Sequence, residues 1–471
     1  MFSTLDVLVC ICALTSFFWL FIQRIARSSL RFRCREIPGP AGLPLIGNLW
    51  DIPTDFPWLV YKRMSNIHDS DIIRLNALGN NIVVINTIDI AMDLFEKRSS
   101  LYSDRPPMVM LTELVGAWWG IAFRRYGTGW RDTRKAFHLE FHPSAVKRFR
   151  PVEEQSTREF LQNLLVDPAD FMVHIRHLAG TTIMKVSFGI DVKPRDDPFI
   201  EIGERAIEAV SATGNAGVYM VDMFPLCGYF VSSASAEQAL IDRIWRKLVD
   251  AMYHTPYQIF RERWGDGWAT DSAAASLMEK VDGITQDPVY AEEVMKSALG
   301  SMYAAGADTT VSATSSFFLA MVLYPEVQKK AQREVDKVLG GTRLPTFSDI
   351  SSIPAMLHDE AMYPEPHKFD PDRHLKDGKI NPAVRDPSAM AFGFGRRICP
   401  GRYMARESMW LTVASVLATM DIGMAIGEDG RPIVPDETYR QGMLCFPKPF
   451  RCTIVPRSKE HEDLILTSGT L

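Results

Sequence analysis

The sequence predicts a mainly helical chain with a minor β-sheet, carried behind an apolar N-terminal segment. Three observations predict it. Most apolar residues recur with the helical period, over stretches too long for strands. Alternating runs are short and confined to an early hairpin and the C-terminal tail. Leu5 to Ile22 forms 18 residues with a single acid near its edge.

That segment comes first along the chain. A spanning helix needs roughly 20 apolar residues, and Trp19 stands near one end, where an interface aromatic belongs. Arg24, Arg27, Arg31, Arg33 and Arg35 follow. A basic cluster of this kind stays on the cytoplasmic side. Residues 1–36 are therefore expected to be a membrane anchor with a basic stop-transfer segment. A cleaved signal peptide is the competing reading. It is disfavoured because no positive charge precedes the apolar run and no small-residue cleavage site precedes the arginines.

Ile37-Pro38-Gly39-Pro40-Ala41-Gly42 breaks the helix and starts the body. From there to residue 471 no second linker, repeat or low-complexity run occurs, so 37–471 is expected to be one catalytic domain. A hairpin is expected from Ile72–Leu75 and Ile82–Asn86, with Gly79-Asn80-Asn81 at its turn. Helices are expected over about 88–98, 144–165, 171–188, 197–212, 235–262, 291–322, 325–339 and 402–420. The seventh of these is closed by Gly340-Gly341. Short strands should fill 422–456.

Composition limits the function. The chain has 471 residues, 46% of them hydrophobic, enough for a large core. A net charge of −5 gives no basic field for nucleic acid, so none is expected as a partner. Seven scattered cysteines suggest neither a disulfide framework nor a zinc pair, and point to a reducing compartment.

One cysteine stands apart. Phe392-Gly393-Phe394-Gly395-Arg396-Arg397-Ile398-Cys399-Pro400-Gly401 places three glycines around a lone sulfur. Glycines let backbone amides point inward, and the helix that starts after Cys399 favours a thiolate through its N-terminal partial charge. Phe392 and Ile398 supply apolar cover. A shielded, hydrogen-bonded thiolate without a second sulfur suits one axial position on haem iron.

The string fits F-x-x-G-x-R-x-C-x-G at every fixed position, and on it the chain resembles the cytochrome P450 family. The resemblance extends to Ala305-Gly306-Ala307-Asp308-Thr309-Thr310 and to Trp130-Arg131-Asp132-Thr133-Arg134. It implies the mainly helical fold of that family and insertion of one oxygen atom of dioxygen into a lipophilic small molecule. Cys399 is then the metal ligand, and Trp130, Arg134, Ala305, Gly306, Phe392, Gly395, Arg397 and Gly401 are cofactor-binding. Trp130, Arg134 and Arg397 would meet the haem propionates. Asp308 and Thr309 are implied as the catalytic pair that delivers protons. Gly306 costs roughly 1 kcal/mol in a helix, which a flat ligand against the backbone would explain. The bland reading of Thr309 is a hydroxyl bonded one turn back.

In detail the chain is most similar to fungal members of secondary metabolism or xenobiotic oxidation. NADPH-cytochrome P450 reductase is the implied electron donor, docking where Arg396 and Arg402 flank the cysteine. With the apolar segment, the resemblance implies a single-pass protein of the endoplasmic reticulum membrane with its catalytic domain cytoplasmic.

One family feature is missing. No Glu-x-x-Arg helix precedes Phe369-Asp370-Pro371-Asp372-Arg373, and Thr309 lies only 90 residues before Cys399. The join falls near 352–356, so the fold is expected to be incomplete between the long helix and the cysteine loop. The alternative function is a catalytically impaired or inactive P450-like membrane protein.

Overall fold

The computed structural model describes residues 36–214, 219–223, 236–268, 271–280, 283–350, 375–376, 379–380, 388–440 and 442–468. They divide into two compact units, one up to Asp93 and one from Leu94.

The first unit holds helix α1 (Pro57–Ile67) and the antiparallel pair β1 (Ile72–Ala77) and β2 (Asn80–Ile85). Strand β1 alternates half-buried and buried residues, as one covered face requires. Ala77 pairs with Asn80, so the turn is Leu78-Gly79, not Gly79-Asn80-Asn81. Both turn residues have positive φ, 50° and 91°. That backbone matches the twist of a two-residue hairpin and places Asn80 and Asn81 in the strand.

The second unit is a helical body. Its main helices are α2 (Thr128–Phe141), α3 (Arg150–Val166), α4 (Phe171–Phe188), α5 (Pro198–Thr213), α6 (Ala236–Arg263) and α7 (Ala273–Lys280). They are followed by α8 (Pro288–Leu323), α9 (Pro325–Leu339), α10 (Arg402–Thr419) and α11 (Lys459–Thr467). Helices α1, α2, α7 and α11 have no counterpart among the ranges expected from the sequence; α1, α7 and α11 are short, at 11, 8 and 9 residues. The caps are chemical. Asp197 accepts from the amides of Phe199 and Ile200, and Asp287 from those of Val289 and Tyr290. Gly189 and Gly340 close α4 and α9 at φ 70° and 63°.

The strands are β3 (Leu375–Lys376), β4 (Lys379–Ile380), β5 (Met420–Ile426), β6 (Pro432–Ile433), β7 (Tyr439–Arg440), β8 (Phe446–Pro447) and β9 (Cys452–Pro456). They form the three-stranded order β6-β5-β9 and two two-stranded pairs. Side chains of α9 seat β5. Gln328 donates to the Ile422 carbonyl at 2.7 Å and accepts from its amide at 2.8 Å, and Gln332 donates to the Met420 carbonyl at 3.1 Å. Since β5 continues directly from α10, these bonds fix the far end of the helix that follows Cys399. Arg150 of α3 clamps the near half of α10 through both oxygens of Glu407, each at 2.9 Å.

The long helix α8 is the spine, and its closest companion is α4. Gly306 explains the approach. A Cβ there would stand 2.6 Å from two side-chain carbons of Ile183. The helix glycine, expected from the sequence to serve a flat ligand, thus also serves a helix–helix contact.

The single-pass membrane assignment is corrected. Among the described residues no helix is long and apolar enough to cross a membrane. The longest, α8, carries Glu292, Glu293, Lys296 and Asp308, which interrupt its apolar run. Residues 5–22, on which that assignment rested, lie outside the described residues, as do the join near 352–356 and Arg373.

Replacing Gly306 by Val is expected to destabilise the chain by about 1–3 kcal/mol through overpacking. Adding Ile183→Ala should recover part of that loss. Denaturant unfolding of the single and double variants checks it, and additive losses would contradict the contact.

Candidate active site

The cysteine loop is a closed turn. The Cys399 amide donates to the Phe392 carbonyl at 2.7 Å, and the Ile398 amide to that of Gly395 at 3.1 Å. Gly393 and Gly395 sit at φ 73° and 58°, where side chains are strained. Helix α10 starts at Arg402, with Gly401 at its N-cap. The sulfur of Cys399 is half-buried, and the amides of Gly401 and Arg402 point at it.

Burial is the larger influence on that sulfur and pushes the thiol up. The two amides and the charges of Arg134 and Arg402 act against burial without cancelling it. The sequence reading weighted the helix end and the amides and underrated desolvation. A stable thiolate here needs a positive partner on the sulfur itself.

Two guanidinium groups stand by. Arg397 donates to the carbonyls of Ser103, Ile121 and Arg124 at 2.7, 3.2 and 2.9 Å, and lies 4.7 Å from the Trp130 ring centre. Burial pushes it down to about 10. Arg134, one turn beyond Trp130 on α2, is likewise pushed down to about 10 by burial. The Cys399 sulfur is the one influence that favours its charge among the described residues. The Trp130 indole, expected to meet a carboxylate, donates to the Ile121 carbonyl at 3.1 Å.

On α8 the two expected catalytic side chains part company. Thr309 is exposed and donates to the Ala305 carbonyl at 2.6 Å, with Ala305 exposed beside it. Asp308 is only 6% exposed and contacts Arg176 at 3.2 Å. Successive helix residues are set about 100° apart, so neighbours in sequence face different walls. Arg176 also holds Glu204 at 3.1 Å. The Asp308 carboxyl is raised to about 6: burial raises it most, Arg176 acts against that, and Glu204 and Glu208 add to the rise. Sequence reasoning missed Arg176, which lies 132 residues away with no motif of its own.

The profile described as Cytochrome P450 matches residues 37–355 and 350–454. The chain belongs to the cytochrome P450 family. It is 36% identical to Cytochrome P450 monooxygenase ple1 of Rhodocybe pseudopiperita, over 91% of each chain. It is 33% identical to Cytochrome P450 monooxygenase COX1 of Coprinopsis cinerea, over 99% of this chain and 100% of that one. Tryptamine 4-monooxygenase of Psilocybe cyanescens is 32% identical over 91% of this chain and 94% of its own.

The cytochrome P450 chain is thus a haem-thiolate monooxygenase, an oxidoreductase served by a redox partner and acting on lipophilic compounds. The inactive alternative is not favoured. The two matched stretches meet at 350–355, where the sequence shows its join. The alignment with the Coprinopsis protein runs to 522 positions, more than the 471 residues here, so that relative carries a stretch without counterpart.

The residues present fit haem. An amide-lined sulfur whose burial is not offset by the nearby charges of Arg134 and Arg402 suits the metal. Arg134, a half-buried cation with no carboxylate acting on it among the described residues, suits an acidic edge.

Asp308 holds its proton more tightly folded than unfolded, between the ordinary 3.8 and about 6. Its protonated form favours the fold, and that stability is lost as pH rises through this window. Asp308→Asn should flatten the fall in unfolding free energy there. Urea unfolding across the window checks it, and an unchanged slope would contradict the shift.

Proposed function

We propose that Cys399 ligates haem iron through its sulfur and that Arg134 and Arg397 pair with the haem carboxylates. The observation that carries this is the half-buried sulfur, faced by the Gly401 and Arg402 amides, with Arg134 beside it. Haem, when bound, supplies the oxygen-activating redox chemistry by which one atom of dioxygen enters the substrate.

The chain's own residues do the rest. Phe392 and Ile398 keep water from the sulfur, which disfavours the free thiolate and leaves its charge to be matched by the metal. Gly395 and Gly401 give the turn its backbone freedom, and Gly401 leaves the amides at the helix start open to the sulfur. Trp130 holds the Arg397 guanidinium flat against its ring. Ala305 leaves room beside Thr309, whose hydroxyl orients water. Asp308, within the same turn of α8, takes up and gives back a proton: burial favours its protonated form and Arg176 its carboxylate. Gly306 also serves this site by seating α8 on α4.

Residues 37–471 form the catalytic body. Electrons come from NADPH-cytochrome P450 reductase, which meets the exposed Arg396 beside the cysteine loop. Arg402 serves inside, donating to the Cys399 carbonyl at 2.9 Å. The substrate belongs to fungal secondary metabolism or is a xenobiotic.

Haem titration of the metal-free chain tests the cation roles. Arg134→Leu should weaken uptake by roughly 10- to 100-fold, the worth of one hydrogen bond to a charged group. Arg397→Leu should weaken it as well, with added loss of stability from its three orphaned carbonyls. Unchanged uptake by both variants would overturn these assignments.

A further inference from the structure

The cysteine loop is held from outside by the segment 95–126, and one of its contacts grips the main chain itself. Arg396 reaches the Tyr126 hydroxyl at 2.6 Å, and Arg397 reaches three carbonyls. Both act through long, rotatable side chains. Gly395 is different. Its backbone amide donates to the Glu96 carboxylate at 2.6 Å.

The neighbouring residue completes the grip. The Phe95 carbonyl occupies the place where a Cβ of Gly395 would stand, and Ser99 lies 3.4 Å from that same place. The Phe95 ring stacks on Phe394, with centres 6.5 Å apart and planes 26° apart. Residues 93–97 form a π-helical turn, whose wider backbone brings Phe95 and Glu96 round together. Gly395 is thereby held in its left-handed conformation from two sides.

The geometry of the turn makes this matter at the sulfur. The Gly395 carbonyl accepts from Ile398, and the Phe392 carbonyl from Cys399. A change of φ at Gly395, which the Glu96 bond to its amide and the Phe95 carbonyl resist, would carry the Gly395 carbonyl away from Ile398 and loosen the turn that presents Cys399 to the amides of Gly401 and Arg402.

We propose that Glu96 is a positioning residue for the thiolate: by accepting the Gly395 amide it fixes the turn that presents Cys399 to iron. The proposal rests on the haem-thiolate reading and concerns residues that reading does not assign. A charge-assisted bond to an amide needs an acceptor at this reach, so glutamine can replace glutamate, whereas lysine and alanine cannot.

The test uses the haem-loaded full chain and the carbon monoxide difference spectrum of its reduced form. That spectrum separates thiolate-ligated chains, with a strongly red-shifted band, from those ligated otherwise. Glu96→Ala and Glu96→Lys should lower the ratio of thiolate-ligated to otherwise-ligated chains roughly 2- to 10-fold, the worth of one net hydrogen bond. Glu96→Gln should keep it. Amide hydrogen exchange of the peptide containing residues 392–399 should quicken in the first two variants and not in the third. Glu96 is exposed, so none of the three opens the core. Equal thiolate shares in all variants would overturn the proposal and leave the haem-thiolate reading intact. A loss in Glu96→Gln as large as in Glu96→Ala would overturn it too, since charge and not the accepted bond would then be at work. A parent chain without any red-shifted band would overturn both.

Discussion

Holding negative charge on a sulfur inside protein is the constraint to which the rest of this structure answers. Burial opposes it, and at Cys399 burial is the stronger influence on the free thiol. The loop reduces the deficit by every local means available. Glycines free two amides to face the sulfur, a helix begins beside it, and Arg134 and Arg402 stand near. On the proposed reading, haem iron on the sulfur would supply what remains. A site that made the free thiolate comfortable would not need iron. One that left it uncompensated would lose the charge to a proton.

The long helix α8 divides its labour by facing two ways. One wall presents Ala305 and Thr309, exposed and one turn apart. The other buries Asp308 against Arg176 and lets Gly306 settle on Ile183. The same few residues thus place an exposed hydroxyl, a buried carboxyl and a helix seat without competing for space. The carboxyl near 6 is poised to change state under mild conditions, because its burial outweighs its one close cation.

Much of this was legible in the sequence where the information is local. The ten residues around Cys399 form one turn, so their spacing carries their geometry. Periodic helices such as Phe171–Phe188 and Pro325–Leu339 were legible because apolar spacing and flanking Gly or Pro mark their ends. Contacts between distant segments were not. Arg176 and Asp308 are 132 residues apart, and Glu96 and Gly395 are 299 apart, with no pattern to connect them. The Leu78-Gly79 turn was misread because leucine rarely accepts positive φ, whereas the asparagines beside it do. No local pattern marked the Ile121 carbonyl that accepts from the Trp130 indole.

The central claim is that one sulfur of this chain binds the iron. Iron-edge X-ray absorption on the haem-loaded chain, beside its Cys399→Ser variant, measures it most directly. The account predicts a single sulfur neighbour of iron in the parent chain and none in the variant. Sulfur persisting in the variant, or missing from the parent, would contradict it.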